Sequence, residues 1–132
     1  MKQKKSILHP LRQSRIAELP LSDAIFMDNW LYVSGQASVD LFAGTFILAD
    51  IREETKRTLD NIQAILGQVG MTLEDVVKCT VHLSDIDDFE CFNEVYSTYF
   101  QGIKPARTTV QSVLMKGLKV EIDCVARKGS SS

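Results

Sequence analysis

A chain of 132 residues, 45% apolar and 24% charged, has the size and balance of one globular domain. No apolar run approaches the ~18–20 residues that a membrane-spanning helix needs. A formal charge of −2 speaks against a dedicated nucleic-acid or membrane surface.

Taken in chain order, the first 19 residues read as an N-terminal arm. Lys2, Lys4, Lys5, Arg12 and Arg15 stand there with no acid before residue 16, so the remainder of a −2 chain carries −7. Lacking an apolar h-region, this basic start is not a secretory signal, and it is thin support for an organelle transit peptide. A single domain is expected over 20–127, and 128–132 reads as a flexible tail.

Ala24-Ile25-Phe26-Met27 and Trp30-Leu31-Tyr32-Val33 are β-rich runs separated by Asp28-Asn29, a dipeptide suited to a tight hairpin turn. Both faces of the second run are apolar, which predicts a strand covered on both sides, one cover coming from another subunit. Ser34-Gly35-Gln36 then interrupts it, and the glycine permits close approach of a ligand or a neighbouring chain. From Asp50, an N-cap, the spacing of Ile51, Leu59, Ile62, Ile65, Leu66 and Val69 predicts an amphipathic helix. Glu53 and Glu54 sit in its first turn, where the dipole favours acids, and Gly67 and Gly70 mark its end.

Val76–Leu83 alternates, placing Val77, Cys79, Val81 and Leu83 on one face and Val76, Lys78, Thr80 and His82 on the other. A second helix follows, capped within 84–88 and carrying Phe89, Phe92, Val95, Tyr96 and Tyr99 as its apolar stripe. Thr108–Val113 and Leu118–Arg127 read as a terminal hairpin turning at 114–117. The order is ββαβαββ, an α+β fold with both helices on one face of a single sheet.

Cys79, Cys91 and Cys124 are odd in number and lack a C-x-x-C pair, the pattern of neither a disulfide framework nor a zinc site, and they point to a reducing cytoplasm. With only His9 and His82, no bound transition metal is expected. Dinucleotide, P-loop and hydrolase-elbow signatures are missing, so the chain reads as cofactor-free, its chemistry done by side chains and water.

Arg107 follows Pro105-Ala106 and precedes a strand, a setting for a rigid fork of donors that holds a carboxylate through two parallel bonds. By residue type alone a solvated surface arginine is the plainer reading. Glu121 and Asp123 share the polar side of the last strand, where one of them could take a proton from water; a wet outer face is the plainer reading. His82 has no serine–histidine–acid spacing behind it and reads as structural.

Six segments in order carry a resemblance: Tyr32-Val33-Ser34-Gly35-Gln36; Asp50-Ile51 with Thr55 and Leu59-Asp60-Asn61-Ile62; Asp75-Val76-Val77-Lys78-Cys79-Thr80-Val81; Phe92-Asn93-Glu94-Val95-Tyr96; Pro105-Ala106-Arg107-Thr108-Thr109-Val110; and Val120-Glu121-Ile122-Asp123-Cys124-Val125-Ala126. From about Pro20 to Ala126 the chain resembles the Rid family, the reactive intermediate deaminases also called YjgF-like proteins, whose fold is similar to chorismate mutase. The resemblance implies a homotrimer with ligand clefts between subunits that hydrolyses imines or enamines of a small carboxylate-bearing metabolite to a keto acid and ammonia. It also implies Arg107 as carboxylate anchor, Glu121 as the residue that orders or activates water, and backbone near Thr109 as a contact for the imine or the water. Ser34, Gly35 and Asn93 would shape the cleft. Where members that deaminate simple imino acids read G-P-Y-x-Q, this chain reads Leu19-Pro20-Leu21-Ser22-Asp23. Leu21 there replaces a tyrosine hydroxyl with apolar surface, which implies a different or bulkier substrate. The rival readings are a non-catalytic metabolite-binding or regulatory protein and an aminomuconate-type deaminase; an RNA-directed activity ranks last, because the body of the chain is acidic.

Overall fold

Two positive-φ residues, Asp28 (57°) and Asn29 (67°), turn the chain between β2 (Ala24–Met27) and β3 (Trp30–Gln36), as the dipeptide predicts. The computed structural model describes residues 3–12 and 19–129. Lys2, Arg15 and tail residues 130–132, on which part of the arm and tail expectations fall, lie outside the described residues. Within the arm, Lys5–Ile7 forms a strand, β1, that pairs antiparallel with β2.

Further along, Val39–Asp40 (β4) and Thr45–Phe46 (β5) make a small ribbon absent from the sequence reading. Its turn is held by Asp40 Oδ1, which accepts from the N–H groups of Phe42 and Ala43, and by Gly44 at φ 76°. The helix Ile51–Gly67 (α1) begins at Asp50, whose carboxylate accepts from the Glu53 N–H at 2.8 Å. Asn61 on α1 donates to the carbonyls of Ala37 and Val39 and so ties the ribbon down.

The remaining elements are Val76–Leu83 (β6), Phe89–Tyr99 (α2), Ala106–Gln111 (β7) and Val120–Arg127 (β8). One six-stranded sheet runs β1-β2-β3-β8-β6-β7. The buried side chains of α1 and α2, among them Leu59, Ile62, Ile65, Leu66 and Phe92, share one core with Leu31, Val33, Val81, Leu83, Val120 and Ile122 of the strands. The α+β expectation of one sheet with two helices holds.

The terminal hairpin does not form. β7 pairs parallel with β6, and β8 pairs antiparallel with the other edge of β6, so β6 separates the two strands. The cause is topological: α2 is a crossover helix, which returns the chain parallel to β6. The connection to β8, turning at Met115–Gly117, then spans the end of β6. β7 also starts two residues earlier than expected, which puts Arg107 inside the strand.

A register shift between Val76 and Lys78 corrects the assigned faces at the start of β6: Val76 is buried and Val77 exposed. The bulge inverts the phase of alternation there. Tyr32 is half-exposed, so this chain covers only one face of β3. Glu53 fits its expected place at the helix start, but Glu54 turns into the core, fully buried. It accepts from the N–H groups of Ala49 (3.1 Å) and Lys119 (2.8 Å), with Lys119 Nζ at 3.5 Å.

Glu54 therefore ties α1 to the entry of β8, two residues before Glu121. Replacing Glu54 with Ala removes the acceptor of two backbone amides and is expected to cost about 2–4 kcal/mol of unfolding free energy in urea titration. A loss under about 0.5 kcal/mol contradicts this role.

Candidate functional site

Alternation along a strand decides which side chains meet. Cys79 pairs with Arg107 and Val81 with Thr109 across the β6–β7 ladder. Arg107 and Thr109 therefore share the helix-covered face with the buried Cys79 and Val81. There the Arg107 guanidinium donates to Asn93 Oδ1 on α2 at 2.8 Å. Its carbon stands 4.8 Å from the Tyr96 ring centroid, 5.5 Å from Phe89 and 5.6 Å from Phe92. Cation–π attraction and one hydrogen bond fix the fork, and its other donors have no hydrogen-bond partner among the described residues. Thr109 Oγ1 on the same face is buried with no hydrogen-bond partner among the described residues.

The neighbouring thiols are buried, which disfavours the thiolate form. Burial pushes Cys79 up despite Tyr96 and Arg107, and burial pushes Cys124, its cross-strand partner, well above the usual thiol range.

Glu121 lies on the opposite face, paired with His82. A cavity of about 530 Å³ opens beside it. Its walls are the Leu19–Asp23 approach, the end of β3 with Ser34 and Gly35, the β4–β5 ribbon with Leu41 and Phe46, and Met115 and Leu118 from the last connection. Ser34 donates through Oγ to the Ser22 carbonyl at 2.7 Å and through its N–H to the Asp23 carbonyl at 2.9 Å. It thus holds the Leu21 segment against β3. Asp23 Oδ2 accepts from the His9 N–H and from Arg12 Nε, both at 2.8 Å, which docks the arm at the cavity wall. Burial pushes the His9 imidazole below the usual histidine range against the opposing pull of Asp23.

Gly35 is the close-approach position. A Cβ there would stand 2.9 Å from Glu121 Cδ and nearer still to its carboxylate oxygen. Glycine lets the Glu121 side chain lie flat over β3 and reach the cavity.

The predicted residues thus fall into two groups. Leu21, Ser34, Gly35 and Glu121 line one cavity; Arg107, Asn93 and Thr109 gather on the other face of the sheet. Within one chain Arg107 does not face Glu121. Sequence reasoning placed Phe89, Phe92 and Tyr96 in the core stripe and missed their hold on Arg107, which only the topology reveals. It also missed that His82, Ser112 and Asp123 meet: His82 Nδ1 lies 2.9 Å from Ser112 Oγ and Nε2 lies 3.5 Å from Asp123 Oδ2. Leu41 and Phe46 flank Asp40 and Gly44, a turn signal that could have exposed the ribbon.

Because the atom a Gly35 side chain would strike is the mobile end of Glu121, Gly35→Ala should fold with a stability change within about 1 kcal/mol. A crystal structure of the variant should show the Glu121 carboxylate swung out of the cavity. An unmoved Glu121 contradicts the assignment.

The family described as Endoribonuclease L-PSP matches residues 12–128. A RutC family protein of Pyrococcus abyssi is 46% identical over 110 residues, covering 83% of this chain and 87% of that protein. The 2-iminobutanoate/2-iminopropanoate deaminase of Rattus norvegicus is 43% identical over 109 residues, 82% of this chain and 80% of the relative. Among solved structures, the Rid family protein YyfA of Yersinia pestis superposes with a TM-score of 0.87 at 37% identity, covering 96% of this chain and 100% of that one.

Proposed function

Since the chain belongs to the Endoribonuclease L-PSP family, which includes the Rid proteins, we propose that it is a cofactor-independent deaminase that hydrolyses reactive 2-imino and enamine carboxylates to a keto acid and ammonia. The observation that carries this reading is the division of the site. A preset guanidinium stands on one face of the sheet, and a carboxylate with no hydrogen bond or ion pair among the described residues lines a cavity on the other. Neither half suffices, so the reaction belongs in clefts between the subunits of a homotrimer, Arg107 of one meeting Glu121 of the next.

An imine carbon is already electrophilic and asks for position, a water and a proton relay. Arg107 takes the substrate carboxylate in a charge-assisted fork. Glu121 accepts a proton from water as its oxygen attacks the C=N carbon and passes it to nitrogen, giving a neutral carbinolamine. A second transfer, of the hydroxyl proton to nitrogen through the same carboxylate, then lets the C–N bond break, and ammonia leaves as the carbonyl forms. Thr109, with its uncommitted hydroxyl and nearby backbone, contacts the imine end. A cavity carboxylate repels a phosphate backbone, which favours a small imine over RNA.

Leu19, Leu21, Leu41, Phe46, Met115 and Leu118 give the Glu121 cavity an apolar lining. The substrate side chain is therefore apolar and larger than that of 2-iminopropanoate. Each buried methylene is worth about 0.8 kcal/mol, or roughly fourfold in kcat/KM.

Ammonia release should be measured from 2-imino acids generated in place from alanine, leucine, methionine and phenylalanine. The larger three should exceed the alanine-derived imine by about tenfold or more in kcat/KM, and Arg107→Ala should lower all of them by about 100-fold, the worth of a lost charge-assisted fork. Rates equal to the protein-free control across the panel contradict the enzyme. Binding of the keto acids that is lost in Arg107→Ala, with no turnover, would identify a metabolite-binding protein instead.

A further inference from the structure

The cavity beside Glu121 is not apolar throughout. Arg12 and Gln36 also line it, and the hydrolysis described above uses neither. Arg12 reaches the wall from the N-terminal arm with 14% of its side chain exposed. Its Nε donates to Asp23 Oδ2, while its two terminal nitrogens make no hydrogen bond among the described residues. Gln36, only 5% exposed, donates through Nε2 to the Ser34 carbonyl at 3.1 Å, and its Oε1 has no hydrogen-bond partner among the described residues. A buried amide oxygen left without a donor is costly, so a cavity wall is where it would find one.

The two residues belong to one corner. Asp23 holds Arg12 through its side chain and accepts the Ser34 N–H through its carbonyl at 2.9 Å, and the Ser34 carbonyl in turn accepts from Gln36. Asp23 itself is 1% exposed, and its second carboxylate oxygen, Oδ1, is buried. A ligand in this corner therefore meets guanidinium donors and a glutamine oxygen, and not the aspartate. Charge then decides what fits. Asp23 compensates the charge of Arg12 and leaves its donors, while Glu121 adds a negative charge to the same cavity. A second carboxylate would be repelled by Glu121 and would offer Gln36 Oε1 no donor; an ammonium group would face the guanidinium. A primary carboxamide satisfies both sides, its oxygen accepting from Arg12 and its NH2 donating to Gln36 Oε1.

We propose that Arg12 and Gln36 form a specificity pocket for a neutral carboxamide at the far end of the substrate side chain. The substrate is then an imino acid whose methylenes pack on Leu21, Leu41 and Phe46 and end in a primary amide. This rests on the deaminase reading above and narrows it, because the apolar lining accounts for the methylenes and not for these two polar groups.

The test is calorimetric binding, to the full chain, of the monoamides of glutaric, adipic and pimelic acid. Each is compared with its diacid and with the isosteric acid that ends in an isopropyl group. The carboxylate common to all of them goes to Arg107, so Arg107→Ala should weaken every ligand. At one of these lengths the monoamide should bind about tenfold or more tighter than both analogues, the worth of a hydrogen bond to a charged group. Arg12→Met should bring the monoamide to within about twofold of the isopropyl acid, and Gln36→Leu should cut its advantage about threefold or more. Arg12→Met leaves Asp23 buried without its counter-charge; if that variant does not fold, Arg12→Met with Asp23→Asn takes its place, and the wild-type panel decides by itself. Isopropyl acids that bind as tightly as the monoamides at all three lengths overturn the proposal. So does a preference for the diacids, or an amide preference that survives the loss of Arg12. Ammonia release from imines without any amide preference removes this inference alone; an amide preference without ammonia release from any imine keeps the pocket and removes the deaminase reading.

Discussion

Successive side chains of a strand leave on opposite faces, and in this sheet that constraint keeps Arg107 from Glu121. Arg107 is in register with Cys79 on β6, and Cys79 faces the helices. Glu121 is in register with His82, which faces away from them. No rotamer carries a side chain through a sheet, which is why the proposed site, needing both, draws them from two copies of the chain. Closed cyclic oligomers supply this arrangement, because each copy offers one half to each neighbour.

Each half is organised before a ligand arrives. Asn93 and three aromatic rings of α2 orient Arg107. On the other face, Gly35 makes room for Glu121, and the buried Glu54 holds the N–H of Lys119 just before β8. Rigid presentation lowers the ordering cost that binding and catalysis would otherwise meet. The same arrangement explains the polar residues in the core: Glu54, Thr55 and Thr58 are fully buried yet hydrogen-bonded to backbone.

Much of this was legible in the sequence wherever a local rule operates. Period 3.6 revealed α1 and α2, period two revealed β6 and β8, β-rich composition revealed β2 and β3, Asp50 announced a cap and Asp28-Asn29 a turn. Pairing was less accessible, since alternation says which face a side chain takes but not which strand lies alongside; β7 and β8 were neighbours in sequence and are separated by β6 in the sheet. The strand at Lys5–Ile7 is three residues long and gains its order from β2, not from its own pattern. Arg107 and Glu121 stood out only through their resemblance to a family, as nothing in an arginine or an alternating glutamate marks it as a ligand contact. The row of His82, Ser112 and Asp123, whose first two members are 30 positions apart, becomes visible only when β6, β7 and β8 are laid side by side.

The shared site is tested most directly by mixing two inactive proteins. Arg107→Ala and Glu121→Gln chains, denatured together at equal amounts and refolded, contain some interfaces that unite an intact Arg107 with an intact Glu121. Random assembly of a closed ring predicts recovery of about one quarter of the wild-type rate of ammonia release from a mixture whose components are each inactive. Recovery no greater than the sum of the two variants alone would contradict a site built from two chains.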